Sequence, residues 1–147
     1  MNIVITPLAA ADALGVKQLL MAGLTERWGH YVPSFNPDIE AFPEAPLGAL
    51  TLVAKREGAL VGTGTLRLLE GPRGEIVRMS TATGSRRMGI AALVLKRLIA
   101  HAQASGVKEI MLETTSSWDS AIALYTQHGF VKTHEHDGDS HFALRLD

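Results

Sequence analysis

Hydrophobic and polar residues along the chain recur with two periods, one typical of helices and one typical of strands. Apolar residues at helical spacing predict a helix over Ala10–Met21, which Gly23 ends or bends, and a second helix from Ile90 to Ala102. A third helix is predicted over Trp118–His128, opened by a capping box at Ser116 and Asp119. Extended runs predict strands at Asn2–Thr6, Ala49–Lys55, Leu60–Leu69, Glu75–Thr81, Val107–Thr114, Phe130–Glu135 and His141–Leu146.

The order of these elements indicates the fold class. Three successive strands in the middle of the chain, joined by short turns, predict an antiparallel meander. The helix after Glu75–Thr81 crosses to Val107–Thr114, and a right-handed crossover makes those two strands parallel neighbours. We therefore expect an α+β fold with a mixed sheet. No repeat or linker divides the chain, so residues 1–147 are expected to form a single domain.

The segment between the first helix and the second strand is long and rich in proline, aromatic and acidic residues. Its three prolines disfavour a continuous helix, although a short helix is predicted near Leu24–Trp28. The first Trp and Tyr of the chain, Trp28 and Tyr31, lie here. Because loops of this length in a compact domain more often carry function than not, we expect this one to contribute to a binding site.

Composition and charge exclude several classes of function. The formal net charge is -1, so no overall positive field indicates binding to nucleic acid. The absence of cysteine excludes disulfides, thiolate metal sites and a cysteine nucleophile. No apolar run approaches the roughly 18 residues that span a bilayer. The first residues, Met1–Ile5, are typical of a strand and not of a signal peptide, so we expect a cytoplasmic protein.

The turn before the helix at Ile90 is the strongest candidate for chemistry. It carries Arg86, Arg87 and Gly89 where the first N–H groups of the helix point outward with partial positive charge. The arginines add formal charge, and the glycine lets a ligand approach the backbone closely. The spacing is neither that of a P-loop nor that of a dinucleotide-binding fingerprint. Spacing alone is equally compatible with a phosphate-binding turn and with a plain structural turn.

Two motifs resemble those of the GNAT N-acetyltransferase superfamily. The run RRMGIA at positions 86–91 fits the family motif R/Q-x-x-G-x-G/A, and the preceding Glu75–Ser80 is similar to the family's fourth strand. The run Ala121–Phe130 is similar to the signature A-x-x-L-Y-x-x-x-G-F. Both motifs occur in the family's order, with a helix and a strand between them. The resemblance implies a GNAT-type acyl-CoA N-acyltransferase fold, with a mostly antiparallel mixed sheet of about seven strands and about four helices.

The resemblance also implies acetyl-CoA as acyl donor and indicates which residues bind it. The pyrophosphate loop of the family corresponds here to Arg86, Arg87, Met88, Gly89, Ile90 and Ala91. The pantetheine arm runs along the end of the fourth strand, at Met79, Ser80 and Thr81. In the family this strand is splayed from the fifth, which leaves backbone groups free to pair with the pantetheine amides.

The catalytic candidates are one tyrosine and two glutamates. The matching family tyrosine, here Tyr125, often protonates the leaving thiolate; the alternative for Tyr125 is a buried core aromatic. A lysine-like amine has a pKa of about 10.4 and is mostly protonated at neutral pH, so a base is needed. Glu75 is the first candidate base and Glu113 the second, against the alternative of solvated charges at strand ends. Without a cysteine, we expect direct attack of the amine on the thioester in a ternary complex.

The sequence departs from the family at one position. Many members carry asparagine three residues before the alanine of the tyrosine helix, in contact with the cofactor arm, and this chain carries Trp118 there. Either Thr115, Ser116 or Ser117 supplies the missing polar contact, or Trp118 lines the acceptor pocket. Trp118 is therefore kept as a candidate cofactor-binding residue.

The hairpin from His134 to His141 superficially resembles a metal site, because alternation places His134 and His136 on one strand face. No third ligand has a compelling spacing. A polar hairpin is therefore the favoured interpretation, no metal is predicted, and contact with the acceptor is the next alternative.

These features together predict an acetyl-CoA-dependent N-acetyltransferase that acts on a primary amine of a small molecule or of a peptide or protein. By the resemblance, the acceptor wall is expected in the loop Leu24–Phe42. The alternative is a non-catalytic acyl-CoA-binding sensor with the same fold. A nucleotide- or nucleic-acid-binding module is disfavoured by the near-neutral charge, and no membrane partner is expected. The resemblance is compatible with a homodimer, because members of the family are often dimers.

Overall fold

A seven-stranded mixed sheet organises residues 2–147, the part of the chain that the computed structural model describes. Its strands are β1 (Ile3–Pro7), β2 (Leu50–Arg56), β3 (Ala59–Leu68), β4 (Arg73–Thr81), β5 (Glu109–Thr115), β6 (Val131–His136) and β7 (Asp139–Arg145). The α-helices are α1 (Ala13–Trp28), α2 (Pro37–Ala41), α3 (Ile90–Ala104) and α4 (Asp119–Gln127). Met1, the first residue of the strand-like run Met1–Ile5, lies outside the described residues. No helix within residues 2–147 is both long enough and apolar enough to cross a membrane.

The pairing between strands confirms the predicted topology. The strand order is β1-β2-β3-β4-β5-β7-β6, in which β2, β3 and β4 form the antiparallel meander. The crossover through α3 makes β4 and β5 parallel neighbours. The remaining neighbours are antiparallel. The sheet is therefore mixed, as the α+β prediction requires.

The hydrophobic core lies in two layers, one on each face of the sheet. The larger layer packs α3 and α4 against the sheet and includes Leu66, Ile76, Leu98, Ile110 and Phe142. The smaller layer packs α1 and α2 against the other face and includes Val16, Leu20, Ile39, Phe42 and Val53. Each buried side chain of this size contributes about 1.5–3 kcal/mol of hydrophobic stabilisation.

Gly64 in β3 lets α3 lie directly on the sheet. A Cβ at this position would be 2.4 Å from Met79 Sδ, 2.9 Å from Val94 Cγ1 and 3.0 Å from Leu98 Cδ1. A Cβ at Gly62, on the same strand, would be 2.7 Å from Ile90 Cγ2. The two glycines therefore allow α3 to pack closely against β3, and they bring the first turn of α3 next to β4.

The first helix is longer than predicted, because Gly23 does not end it. It continues to Trp28 and ends where Gly29 adopts a left-handed φ of 82°. Gly23 instead faces β4, where a Cβ would be 2.7 Å from Ser80 Oγ. The short helix predicted near Leu24–Trp28 is the end of α1, and it reaches the open end of β4.

The predicted capping box at Ser116 and Asp119 is wrong. Trp118 is the N-cap residue of α4, and no side chain caps the helix. The hydroxyl of Ser116 lies instead 2.8 Å from the hydroxyl of Ser140. Ser116 thus connects the segment after β5 to β7.

Candidate active site

The parallel strands β4 and β5 separate after a short stretch of pairing. Only Arg73–Glu75 of β4 and Glu109–Met111 of β5 are paired. From Ile76 onward, within the described chain, β4 pairs with β3 alone, so one edge of β4 keeps unpaired backbone groups. The gap opens into a cleft of about 1300 Å³, which the open ends of both strands, the end of α1, the start of α3 and the helix α4 line. An extended ligand can therefore pair with the free edge of β4.

A β-bulge lies in the open part of β4. Arg78 and Met79 together face one residue of β3, Gly64. Arg78 has a φ of 54°, which is unusual for a residue with a side chain. Its guanidinium donates two hydrogen bonds to Asp38, at 2.7 and 2.9 Å. Burial raises the pKa of Asp38, but hydrogen bonding to Arg78 and the charges of Arg78 and Arg67 outweigh it and lower that pKa below its ordinary value.

The loop after β4 turns the chain into the start of α3. Arg87 and Gly89 both have left-handed φ values, 65° and 76°. With a glycine at the N-cap, no side chain caps α3, so the first N–H groups of the helix are free and lie at the cleft. A Cβ at Gly89 would meet no atom within 4 Å, so the approach to these groups is open. The loop therefore fits an anionic group such as a phosphate.

Arg86 in this loop is already paired with a carboxylate of α1. Its guanidinium contacts Glu26, which also accepts a hydrogen bond of 2.6 Å from Thr83 Oγ1. The hydrogen bond from Arg86, and then the one from Thr83, lower the pKa of Glu26. The contact fastens the end of α1 to the loop after β4. The neighbouring Arg87 has no carboxylate within 4.0 Å in the described part of the chain.

The structure brings nearly all of the predicted cofactor-binding residues to the cleft. Those that line it are Met79, Ser80, Thr81, Arg86, Arg87, Gly89, Ile90, Ala91 and Trp118. Met88 is not among them. Its sulfur accepts a hydrogen bond of 2.8 Å from Arg56, and its side chain packs against the core. Met88 therefore serves the packing of the loop, and the structure does not place it in the cleft.

Tyr125 on α4 is buried, with 7% of its surface exposed, and it still lines the cleft. Its ring packs against Phe130 and Phe142 with centroids 6.0 and 6.3 Å apart. The Tyr125 hydroxyl bonds to no other described residue. Every fully buried polar side-chain atom in residues 2–147 has a hydrogen-bond partner, so this hydroxyl is not fully buried and reaches the cleft. Burial raises the pKa of Tyr125 to about 12, against an opposing effect of Arg27. The phenol therefore keeps its proton at neutral pH.

The two candidate bases lie in different places. Glu113 lines the cleft, its side chain is 56% exposed, and its Oε2 is 3.5 Å from His141 Nδ1. Glu75 lies outside the residues that line the cleft, with Oε1 3.9 Å from Arg67. The structure thus brings Glu113, and not Glu75, into the same cleft as Tyr125.

Trp118 lies where α4 and α1 meet across the cleft. Its ring centroid is 5.4 Å from that of Trp28, at an angle of 53°. The Arg27 Cζ atom lies 4.3 Å from the centroid of the Trp118 ring, which is a cation–π geometry. The residue that replaces the family asparagine therefore holds an arginine from the other face of the sheet.

The proline-rich loop forms the remaining wall. Trp28 and Tyr31 line the cleft, and the Tyr31 hydroxyl donates a hydrogen bond of 2.7 Å to Glu40. Burial, and then Glu40, raise the pKa of Tyr31 to about 12. Phe35, which is 79% exposed, lies within the predicted loop Leu24–Phe42, but no signal singled it out. Asp139 also lines the cleft, from the turn of the hairpin His134–His141, and no motif indicated it individually.

The histidine hairpin lies beside the cleft. The rings of His134 and His141 stack, with centroids 4.3 Å apart and planes 6° from parallel. The Nδ1 atom of His134 lies 2.9 Å from Thr133 Oγ1. Within residues 2–147, no group of three His, Asp or Glu side chains is arranged to hold a metal ion. The hairpin reaches the cleft through the contact of His141 with Glu113.

Comparison with known protein sequences gives a family match over most of the chain. Residues 15–130 match the profile described as the acetyltransferase (GNAT) family. The chain is 38% identical over 81 residues to a protein named IAA acetyltransferase from Azospirillum brasilense, a match that covers 54% of this chain and 53% of that protein. The chain spans about half the length of the curated relatives it matches.

Solved structures show the same fold. An acetyltransferase of the GNAT family from Staphylococcus aureus Mu50 superposes with a TM-score of 0.87 at 18% identity, over 99% of this chain and 100% of that one. The PaiA N-acetyltransferase from Thermoplasma acidophilum, solved in complex with coenzyme A, gives 0.82 at 16% identity, over 99% and 100%. At these identities the likeness concerns the fold alone, and it confirms the predicted sheet and helix arrangement.

Proposed function

Because the chain belongs to the GNAT acetyltransferase family, we propose that it transfers the acetyl group of acetyl-CoA to a primary amine of a small molecule or of a peptide or protein. A single observation carries this proposal: one cleft joins the uncapped start of α3 to the hydroxyl of buried Tyr125. The cleft therefore has an anion-binding end and a proton-donating end. The relative solved with coenzyme A supports the choice of acyl donor.

Acetyl-CoA supplies a thioester, whose acyl carbon reacts with a neutral amine. Its pyrophosphate is held by the free N–H groups at the start of α3, together with Arg86 and Arg87. The unpaired edge of β4 at Met79–Thr81 hydrogen-bonds to the pantetheine amides. Pairing with this edge satisfies backbone groups that otherwise have no protein partner, and it directs the thioester along β4 toward α4.

Two side chains that line the cleft donate and accept the protons of the reaction. Tyr125, which keeps its proton at neutral pH, donates it to the leaving sulfur. Deprotonating an amine with a pKa of about 10.4 at neutral pH costs roughly 4–5 kcal/mol, so a nearby carboxylate accelerates the reaction. We assign that role to Glu113, directly or through a water molecule, because it lines the cleft. Glu75 is the second candidate, and the amine attacks the thioester directly in a ternary complex.

We further propose that residues 1–147 form one catalytic domain that works in the cytoplasm, as a monomer or a homodimer. The single sheet that runs through the described residues supports one domain. The formal net charge of -1 supports a reaction without a nucleic-acid partner.

A panel assay tests the proposed function. The release of coenzyme A from acetyl-CoA is measured with polyamines, amino acids, aminoglycosides and peptides, and calorimetry measures the affinity for acetyl-CoA. We expect binding together with coenzyme A release that depends on at least one class of amine. Binding without release across the whole panel would favour the non-catalytic sensor. Failure to bind acetyl-CoA would contradict both functions, and a covalent acetyl-enzyme in mass spectrometry would contradict direct transfer.

A further inference from the structure

We propose that Arg27, held against the ring of Trp118, stabilises the negative charge that develops on the sulfur of coenzyme A as the acetyl group leaves. This inference rests on the proposed function, because it requires acetyl-CoA in the cleft with its thioester near Tyr125. It adds a cationic group from α1 to the acid that α4 provides.

The start of α4 and the end of α1 bring Trp118, Tyr125 and Arg27 to the same cleft. Trp118 is the N-cap residue and Tyr125 comes seven residues later, so two helical turns place both on the same face. Helical side chains lean toward the N-terminus, so the Tyr125 side chain leans toward the end of α4 at which Trp118 lies. Arg27 arrives from α1, and its Cζ atom lies 4.3 Å from the centre of the Trp118 ring. Arg27, Trp118 and Tyr125 all line the same cleft.

The guanidinium of Arg27 is charged and forms no ion pair with a described carboxylate, although the charge of the neighbouring Glu26 partly offsets the lowering of its pKa. Burial, and then Arg86, lower the pKa of Arg27, but a group whose ordinary value is 12.5 stays protonated at neutral pH. Within the described chain no carboxylate lies within 4.0 Å of this side chain, whereas Arg78 and Arg86 are paired with Asp38 and Glu26. The Trp118 ring covers one face of the guanidinium and leaves the N–H donors at its edge available.

Arg27 and Tyr125 line the same cleft, so the charge of Arg27 lies in the cleft that holds the expected position of the sulfur. Burial raises the pKa of Tyr125, and Arg27 is the charged group that opposes this rise. A cation that favours the ionised form of a buried phenol favours any other anion beside it, including a thiolate. The substitution of Trp118 for the family asparagine then has a physical reason, because an indole offers a flat face on which a guanidinium can rest.

The transfer step balances as follows. The lone pair of the acceptor nitrogen forms a bond to the acetyl carbon, and the carbon–sulfur bond breaks with its electron pair left on sulfur. The sulfur takes the proton of Tyr125, and the proton lost by the nitrogen restores the phenol through Glu113 or solvent. Arg27 lowers the energy of the charge on sulfur before that proton arrives. Arg27 is exposed, so its charge is worth less than a buried oxyanion-hole donor, on the order of tenfold to a hundredfold in rate.

A binding experiment without turnover tests the inference directly. The thiol of coenzyme A bound to the protein is titrated through the ultraviolet absorbance of its thiolate, in the wild type, Arg27→Gln and Arg27→Lys. We expect the wild type and Arg27→Lys to lower the thiol pKa relative to free coenzyme A, and Arg27→Gln to raise it by about one unit from the wild-type value. Arg97→Gln removes the same charge from an exposed position on α3 outside the cleft and serves as the matched control. An identical thiol pKa in wild type and Arg27→Gln overturns the inference.

Kinetics separates this role from simple binding. Arg27→Gln is expected to lower kcat about tenfold to a hundredfold while the Kd for acetyl-CoA stays within about twofold, and Arg27→Lys is expected to recover part of the loss. In a Tyr125→Phe background, Arg27→Gln is expected to cost at least as much as in the wild type, because the sulfur then leaves as an unprotonated thiolate that depends on the remaining cation. Weaker acetyl-CoA binding with unchanged kcat would assign Arg27 to the phosphates, and a raised KM for the amine alone would assign it to the acceptor. Either result overturns the inference.

Substitutions of Trp118 test whether its ring holds Arg27 in position. Trp118→Phe keeps an aromatic face and is expected to retain most of the activity, whereas Trp118→Asn is expected to match Arg27→Gln. The double variant of Trp118→Asn and Arg27→Gln is expected to lose no more than either single variant. If the wild type transfers acetyl groups and Arg27→Gln is equally active, only this inference fails. If the wild type binds no acetyl-CoA, the proposed function fails and the inference fails with it.

Discussion

The guanidinium of Arg78 donates two hydrogen bonds to the carboxylate of Asp38, at 2.7 and 2.9 Å. Arg78 is the residue of the β4 bulge with a φ of 54°, and Asp38 belongs to α2, which ends the proline-rich loop. This contact therefore fastens the wall expected to bind the acceptor to the strand expected to bind the cofactor. Paired hydrogen bonds between planar charged groups fix orientation as well as distance, so the shape of the cleft depends on this pair.

Asp38→Asn is predicted to destabilise the protein. The change leaves the partly buried Arg78 without its charge partner, at a cost of about 1–3 kcal/mol in the free energy of unfolding. Because the pKa of Asp38 is lowered in the folded state, its contribution is present above the unfolded value of about 3.9 and is lost as the pH falls through the folded value. Urea unfolding at pH 7 and near pH 3 measures the difference, which is expected to shrink in acid.

Glu44→Gln is the matched control for Asp38, because it removes an exposed carboxylate that has no ion pair among the described residues. Its effect on stability is expected to stay within about 0.5 kcal/mol. Equal stabilities of the two variants at pH 7 would show that the contact with Arg78 contributes nothing.

Tyr125→Phe is predicted to slow turnover without weakening the binding of acetyl-CoA. Loss of a general acid costs about 10²- to 10⁴-fold in rate. The hydroxyl makes no hydrogen bond to another described residue, while the ring packs against Phe130 and Phe142, so stability is expected to stay close to the wild-type value. Steady-state kinetics, calorimetry and thermal unfolding together check the three statements. Unchanged turnover would remove Tyr125 from the mechanism.

Glu113→Gln is predicted to lower kcat/KM at neutral pH more than Glu75→Gln does. Glu113 lines the cleft, whereas Glu75 lies outside it and faces Arg67. Removal of a general base is expected to lower the rate about 10²-fold or more. The loss is smaller where a water molecule in contact with solvent takes the proton instead. The comparison is made with the acceptor found in the amine panel, over a range of pH. A larger loss for Glu75→Gln would reverse the assignment of the base.

Gly64→Ala is predicted to destabilise the protein by about 1–3 kcal/mol through overpacking. The added Cβ would come within 2.9 Å of Val94 in α3 and 2.4 Å of Met79 in the open part of β4. Displacement of Met79 is also expected to weaken the binding of acetyl-CoA. Gly84→Ala is the control, because a Cβ there would meet no atom within 4 Å and its φ is not left-handed. Denaturant unfolding and calorimetry of both variants measure the two effects.

Much of the fold could be predicted from the sequence because its signals are local. Helical spacing placed α3 and α4, and the order of the elements implied the parallel pairing of β4 with β5. The end of α1 was predicted wrongly because it depends on a contact between residues that are far apart in the sequence. A glycine commonly indicates the end of a helix, but Gly23 instead makes room for Ser80, a residue distant in sequence.

The candidate site divides in the same way. The residues predicted for the anion-binding end are neighbours in one motif, and all of them except Met88, which packs against the core, line the cleft. Tyr125 was likewise identified by the motif around it.

Only the tertiary structure decided which partners these residues have. Arg27 meets Trp118, Glu26 meets Arg86, and Asp38 meets Arg78, each across at least 40 positions of the chain. Such contacts depend on where α1 and α2 come to lie on the sheet, which is a consequence of packing and not of any local pattern. The sequence thus determined the strand, turn and helix that form one end of the cleft, and the packing of distant elements decided the charges and rings that line the rest of it.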